Sequence, residues 1–257
     1  MRKVTLLLVI AIGFGLLSGG PRPAIAAGGA EYEHQEWTFN GIFGRFDRAA
    51  LRRGHQVYRE VCSACHGLKR IAYRNLMDIG FSEEEAKEIA AEATVTDGPN
   101  DEGEMFDRSG KLSDRFVSPF PNDQAARYSN NGALPPDLSL IVKARKGGAD
   151  YLYSLMTGYA DEAPEGMEMM DGMSYNRAFP GHQIAMPQPL YEDLIEYEDG
   201  TPASVEQQAK DVTTFLAWAA EPELEARKSL GLKVLLFMIL LTAMLYAVKR
   251  RVWSKLH

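Results

Sequence analysis

Apolar positions fall unevenly along this chain, and their spacing divides it into three kinds of segment. From Val4 to Leu17 almost every residue is apolar; Arg2 and Lys3 precede the run, and Ala24-Ile25-Ala26 follows a Ser-Gly-Gly-Pro break. A basic start, a short apolar centre and a small-residue end make a secretory signal peptide, read here as residues 1–26. A second apolar run, Leu230 to Val248, is interrupted only by Lys233 and is long enough to cross the hydrocarbon layer. Lys233 sits one turn from its start, where its stem reaches the head groups. Lys249-Arg250-Arg251, Trp253 and Lys255 come next, a basic flank that stays in the cytoplasm. The pattern predicts a transmembrane helix over 229–249, a cytoplasmic tail over 250–257 and an exported domain over 27–228.

Within that domain the helical period dominates. Residues 31–46 carry many aromatics and glycines without a period and read as an extended arm packed on something. Asp47 is placed to cap a helix whose Leu51, Tyr58, Val61 and Cys65 share a face. Ser82 and Glu85 form a capping box for a helix to about Ala93. Asp137 opens a short helix through Leu138, Ile141, Val142 and Arg145, and Asp150 opens another through Tyr151, Leu152, Leu155 and Met156. Ser204 and Gln207 form a second box, ahead of Val205, Ala209, Val212, Phe215, Leu216 and Ala219 on one side. Pro222 fits the first turn of a further helix able to run unbroken into the membrane. Residues 94–136 and 159–203 read as long loops rich in turn formers, the kind that drape around something bulky. The fold class expected is mainly α, with little strand.

Composition supports a folded domain: 257 residues with 46% hydrophobic content bury a real core. Charge becomes informative once the chain is divided. Of the 28 basic residues, three precede residue 27 and five follow residue 230, whereas all 35 acids lie between. The exported domain therefore carries a formal −15. Such a field repels nucleic acid and favours basic partners, although each acidic cluster taken singly reads as a solvated loop.

The chemistry concentrates in Val61-Cys62-Ser63-Ala64-Cys65-His66-Gly67, which holds both of the chain's cysteines. A redox dithiol belongs beside a strand-helix-strand pattern, which is missing. A zinc site needs further ligands of the cysteine or paired-histidine kind. Covalent haem attachment is the standard meaning of C-x-x-C-H, and export agrees with it. Two thiols at that spacing reach two vinyl groups of one porphyrin, and His66 then swings under the iron. A second axial ligand is expected. Met186, in the proline-stiffened Phe179-Pro180-Gly181-His182-Gln183-Ile184-Ala185-Met186-Pro187-Gln188-Pro189, competes with Met156, Met167, Met169, Met170, Met173 and His182. The residues alone leave that choice open. His34 and His55 read as ordinary surface or helix residues.

These segments, with WTFNGIFGRFD, GHQVYREVCSACHGLKR, YSNNGALPPDLSLIVKARKGGADYLYSLMTGY and the anchor ending LYAVKRRVWS, run through essentially the whole mature chain. In that order they resemble the cytochrome c1 family of cytochrome bc1 complexes, in its bacterial form. The resemblance implies a cytochrome c-like haem domain with long loop insertions and one C-terminal transmembrane helix. It implies one covalently attached haem c on Cys62 and Cys65, with His66 and Met186 as axial ligands. It makes Arg145 and Tyr151 partners of the haem propionates, and Asn130 and Pro136 part of the pocket. A carbonyl in the Pro135-Pro136 stretch is expected to accept from the other nitrogen of His66. The partners implied are cytochrome b, a Rieske iron-sulfur protein and a soluble basic c-type cytochrome as acceptor, in a dimeric complex. The location implied is the bacterial inner membrane, with the haem domain in the periplasm. No catalytic residue is required, because an electron carrier needs no acid, base or nucleophile. The alternative is the c-haem subunit of another membrane oxidase or dehydrogenase. Some bacterial relatives hold a disulfide outside the haem motif; this chain has no cysteine left for one.

Overall fold

The computed structural model describes residues 32–254. The expected signal peptide and Lys255 lie outside them. Helix α1 spans Arg48–Glu60, and the Asp47 carboxylate accepts hydrogen bonds from the backbone N–H groups of Ala49 and Ala50, as its position before the apolar period predicts. After it come α2 (Glu83–Ala91), α3 (Asp123–Ser129), α4 (Ile141–Ala144), α5 (Gly148–Thr157), α6 (Val205–Ala220) and α7 (Leu224–Trp253). Short 3-10 segments at Cys62–Ala64, Tyr73–Ile79 and Leu138–Leu140 complete the helical part.

The centre of the domain is the pairing of α1 with α6. Leu51, Val57 and Tyr58 of α1 meet Val212, Phe215 and Trp218 of α6, and all six are buried. Fully burying a side chain such as Leu51 or Phe215 contributes about 1.5–3 kcal/mol. Gly54 sets how closely the two helices approach, since a Cβ there would overlap the Asp211 carbonyl and lie 2.7 Å from Phe215 Cβ. Where the helices meet, Arg53 donates from Nε to Asp211 at 2.8 Å and from Nη1 to Asp199 at 2.8 Å. Asp211 is almost wholly buried, so this pair keeps its own charge compensated inside the core.

Several boundaries differ from the sequence reading. Helix α1 ends at Glu60, so Cys65 leaves the helical face and the motif starts on a separate tight turn. Residues 94–136 are more than loop: β1 (Thr94–Asp97) pairs antiparallel with β2 (Phe106–Ser109), and α3 follows. Exposure alternates along β1 but not along β2, none of the eight residues is buried, and the strands are held by Arg108, which bonds Asp97 and Asp114. A second two-stranded ribbon pairs β3 (Ser174–Tyr175) with β4 (Gln183–Ile184). Asp150 does not open its helix, which starts at Gly148; it accepts instead from Trp37 Nε1 at 2.6 Å and from Gln35 N at 3.2 Å. Burial pushes the Asp150 carboxyl up, but bonds from His34, Trp37 and Gln35 outweigh it and hold the group below its usual range. The arm thus packs on α5, with Trp37, Phe39 and Phe46 buried. Ser204 caps α6 by accepting from Gln207 N, whereas the Gln207 side chain bonds Asp211 and leaves the box half closed.

Helix α7 is different in kind. Its 30 residues reach about 45 Å at 1.5 Å per residue. Only Leu224 is buried, and from Leu230 onward every apolar side chain but the half-buried Leu241 is exposed. A helix apolar all round, with no described residue burying its apolar run, fits a single-pass membrane anchor.

Candidate functional site

The cysteine motif is one turn wound on one carbonyl. Cys65 N and His66 N both donate to Cys62 O, at 3.1 and 2.9 Å, so the C-x-x-C-H spacing closes on itself. Cys62 is half-buried against the core, Cys65 is exposed, and both thiols are free. Burial, then the neighbouring Cys65, pushes the Cys62 thiol up to about 12. A thiol so reluctant to ionise is a poor redox nucleophile, which counts against a thioredoxin-type dithiol. Among the described residues, no three His, Cys, Asp or Glu side chains converge as ligands of a protein-held metal ion.

His66 is oriented from outside its own turn. Its Nδ1 lies 2.8 Å from the carbonyl oxygen of Pro136, as the Pro-Pro stretch predicts. A carbonyl only accepts, so Nδ1 carries the proton and Nε2 keeps its lone pair for a ligand. Burial lowers the imidazole's affinity for a second proton, against the opposing pull of the Pro136 carbonyl and Asp137. Asp137 holds the two segments together by accepting from Lys69 N at 2.9 Å and from Ser139 N at 3.0 Å. Gly67 makes that approach possible, since a Cβ there would meet Ser118 Oγ at 3.0 Å and Asp137 Oδ2 at 3.2 Å. The buried Tyr58 hydroxyl donates to the His66 carbonyl at 3.2 Å.

Met186 follows β4 and is half-buried against the core. Its carbonyl accepts from the Tyr159 hydroxyl at 3.1 Å. Upstream, the fully buried Asn176 fixes the loop: its amide donates to Leu155 O, and its carbonyl oxygen accepts from Ala178 N and Phe179 N. His182, the rival ligand, is half-buried, and its Nδ1 lies 3.3 Å from the Asn176 carbonyl. Tyr151 is buried; burial raises the phenol's pKa and the nearby Arg145 charge opposes that. The structure therefore joins His66 with Pro136, and sets the Tyr151 phenol near the Arg145 charge. Asn130 stands apart from these pairs, because its amide donates to Ala126 O and closes α3.

Tyr58, Tyr159 and Asn176 escaped sequence reasoning. Only Tyr58 left a signal, four residues before Cys62 on the helix that leads into the motif. The donor set as a whole suits a haem: two free thiols and a neutral imidazole on one turn, a thioether on a braced loop, and a guanidinium-phenol pair suited to propionates.

Comparison with known proteins agrees. The model of the Cytochrome C1 family matches residues 37–256. Cytochrome c1 of Rhodospirillum rubrum is 52% identical over 95% of each chain. The Candida albicans cytochrome b-c1 complex catalytic subunit is 55% identical over 85% of this chain and 76% of its own length. A Bradyrhizobium diazoefficiens protein named cytochrome b/c1 is 47% identical over 86% of this chain, which covers 35% of that longer protein.

Proposed function

This chain belongs to the cytochrome c1 family, and on that premise we propose that it is the membrane-anchored monohaem electron-transfer subunit of a bacterial bc1 complex. Electrons arrive from a Rieske iron-sulfur protein and leave to a soluble basic c-type cytochrome. A bound haem c supplies a one-electron iron couple. The chain's own residues do the rest. Cys62 and Cys65 would tether the group by thioether bonds, and His66 Nε2 and the Met186 thioether would supply its iron ligands. Arg145 and Tyr151 take the propionates, and Asn130 and Pro136 line the pocket. The formal −15 of the exported domain attracts a basic acceptor and makes that encounter salt-sensitive.

The observation that carries the reading is the bond between His66 Nδ1 and the Pro136 carbonyl, which puts the proton on Nδ1 and leaves the motif's imidazole with one free, unprotonated ligand nitrogen, Nε2. Cytochrome b as a neighbour draws support from the relative named cytochrome b/c1, and the complex is expected to be dimeric. Residues 1–26 direct export and are removed, 27–228 form the periplasmic domain, 229–249 cross the inner membrane and 250–257 stay in the cytoplasm.

Haem staining of the purified chain after denaturing electrophoresis tests covalent attachment. Wild type should stain and show the c-type α band on reduction, and Cys65→Ala should lose or weaken both. Purification through a tagged chain should also bring down a cytochrome b and a Rieske protein with quinol:cytochrome c reductase activity. Colourless wild-type protein, or copurification with a haem-copper subunit instead, rules the proposal out.

A further inference from the structure

The loop before α1 is fastened to the start of α7 at two heights. Phe46 N donates to Glu225 Oε1 at 2.9 Å, and Arg48 pairs with Glu225 at 3.0 Å. One turn further along α7, Lys228 Nζ donates to Phe39 O at 2.6 Å and to Gly44 O at 3.3 Å. Phe39 and Gly44, at the base of the loop, are therefore tied to α7 one turn nearer its apolar part than Phe46 and Arg48 are. The chain reverses there: Gly44 N bonds Gly41 O, Arg45 N bonds Thr38 O, and Asn40 N bonds Trp37 O. The tip of this reversal is Gly41-Ile42-Phe43, next to the residues that Lys228 holds, and the exposed apolar run of α7 starts two residues after that lysine, at Leu230.

What the tip presents is unusual for a water-facing turn. Ile42 is 72% exposed and Phe43 78%, and among large hydrophobic residues described outside α7 only Tyr128 is more exposed. The turn is rigid at its base. Phe39 stacks on Trp37 with ring centroids 5.4 Å apart and meets Phe46 at 5.0 Å, all three buried, so the neighbouring Ile42 and Phe43 have been left out of an available aromatic cluster. No charged side chain occurs from Thr38 to Gly44, whereas Arg45 and Lys228 lie at the base. An uncharged aromatic-aliphatic tip below a cationic collar is the chemistry of a segment lying in the membrane interface.

We infer that Ile42 and Phe43 insert into the outer-leaflet lipid interface beside α7 and give the exported domain a second, peripheral membrane contact. Two contacts, one spanning and one interfacial, fix the tilt of the domain above the bilayer, which a single helix leaves free to swivel. The inference rests on reading α7 as a membrane span, and the test separates the two. Benzoylphenylalanine is introduced at Phe43, and separately at each position from Phe237 to Leu240, which cover every side of α7. Membranes carrying the assembled complex are irradiated and adducts identified by mass. Phospholipid adducts at Phe43 and at one or more of the α7 positions are expected. Phospholipid on α7 with none at Phe43, whether Phe43 instead links to another polypeptide or to nothing, overturns the interfacial contact and leaves the anchor standing. No phospholipid at any position removes both. As a second measurement, Ile42→Ser with Phe43→Ser should leave the haem spectrum unchanged yet raise amide exchange of residues 40–44 in membranes to its detergent-free aqueous level; unchanged exchange also overturns the contact.

Discussion

The imidazole of His66 is held by the carbonyl of Pro136, seventy residues further along the chain, at 2.8 Å. The bond is only as fixed as the segment that supplies the carbonyl, and Asp137 is what fixes it. One carboxylate oxygen accepts from Lys69 N, just past the motif, and the other from Ser139 N, just past Pro136. Asp137→Ala removes both. The expected loss is about 1–2 kcal/mol of stability, the scale of a lost helix cap, together with a changed haem midpoint potential as His66 loosens. Asp137→Asn keeps one acceptor oxygen and should fall between. Denaturant midpoints and redox titration of the three proteins check this order, and equal potentials in all three would show that Asp137 has no influence on His66.

Met186→Leu keeps the volume of the side chain and removes its sulfur. If the thioether faces the iron, haem stays attached through Cys62 and Cys65 while the midpoint potential falls, on the order of 0.1 V or more within the ~0.8 V span that axial ligands command. Optical redox titration of the variant complex measures it. An unchanged potential eliminates Met186 and returns the choice to the other methionines and His182.

What could be read in the sequence is what is written locally. Asp47, Ser82 and Ser204 sit next to the helices they cap, and a cap needs only neighbours three residues away. The motif and its carbonyl partner were legible because Pro-Pro announces a rigid segment and C-x-x-C-H announces a ligand needing support. The β1–β2 hairpin was not, since none of its residues is buried and its order comes from Arg108 bridging Asp97 to Asp114 rather than from alternating apolar positions. Asp150 misled for the opposite reason. It stands where a cap would stand, yet a partner 113 residues earlier, Trp37, claims it. Asn176 and Tyr159 brace the Met186 loop through contacts that no spacing encodes.

Gly54→Ala tests whether the α1–α6 contact sets the core. The added methyl would meet the Asp211 carbonyl and the Phe215 Cβ, so the helices must part. Overpacking of this kind costs about 1–3 kcal/mol. A lower thermal midpoint is expected, with weakened Arg53–Asp211 bonding because Asp211 lies at the point of contact. Stability equal to wild type would mean that the interface yields freely.

His55, read from sequence as an ordinary surface or helix residue, is a core residue with its ring edge-on to Phe81, Phe116 and Phe215 at 5.1, 6.1 and 5.6 Å. Burial, then the Arg59 and Arg52 charges, lower its pKa from 6.5 to about 3. Glu85 and Glu88 of α2 and Glu92 just after it also line the cleft beside His55 and do not reverse that direction. The folded state therefore keeps His55 neutral where the unfolded chain protonates it. Above the unfolded value of 6.5 the two states bind protons alike at this site, and stability is unaffected. As pH falls from 6.5 toward 3 the unfolded state alone gains a proton, so stability drops by up to about 1.4 kcal/mol per pH unit. His55→Phe suits the surrounding rings and cannot titrate. Its thermal midpoint should decline less steeply than that of wild type between pH 6.5 and 4, whatever constant offset the larger ring introduces. Other acid-sensitive groups, such as Asp114 and Asp199, each held at about 2 by arginine, act equally in both proteins and cancel in the difference. Parallel curves across that window would mean that His55 finds a proton acceptor in the core and is charged there.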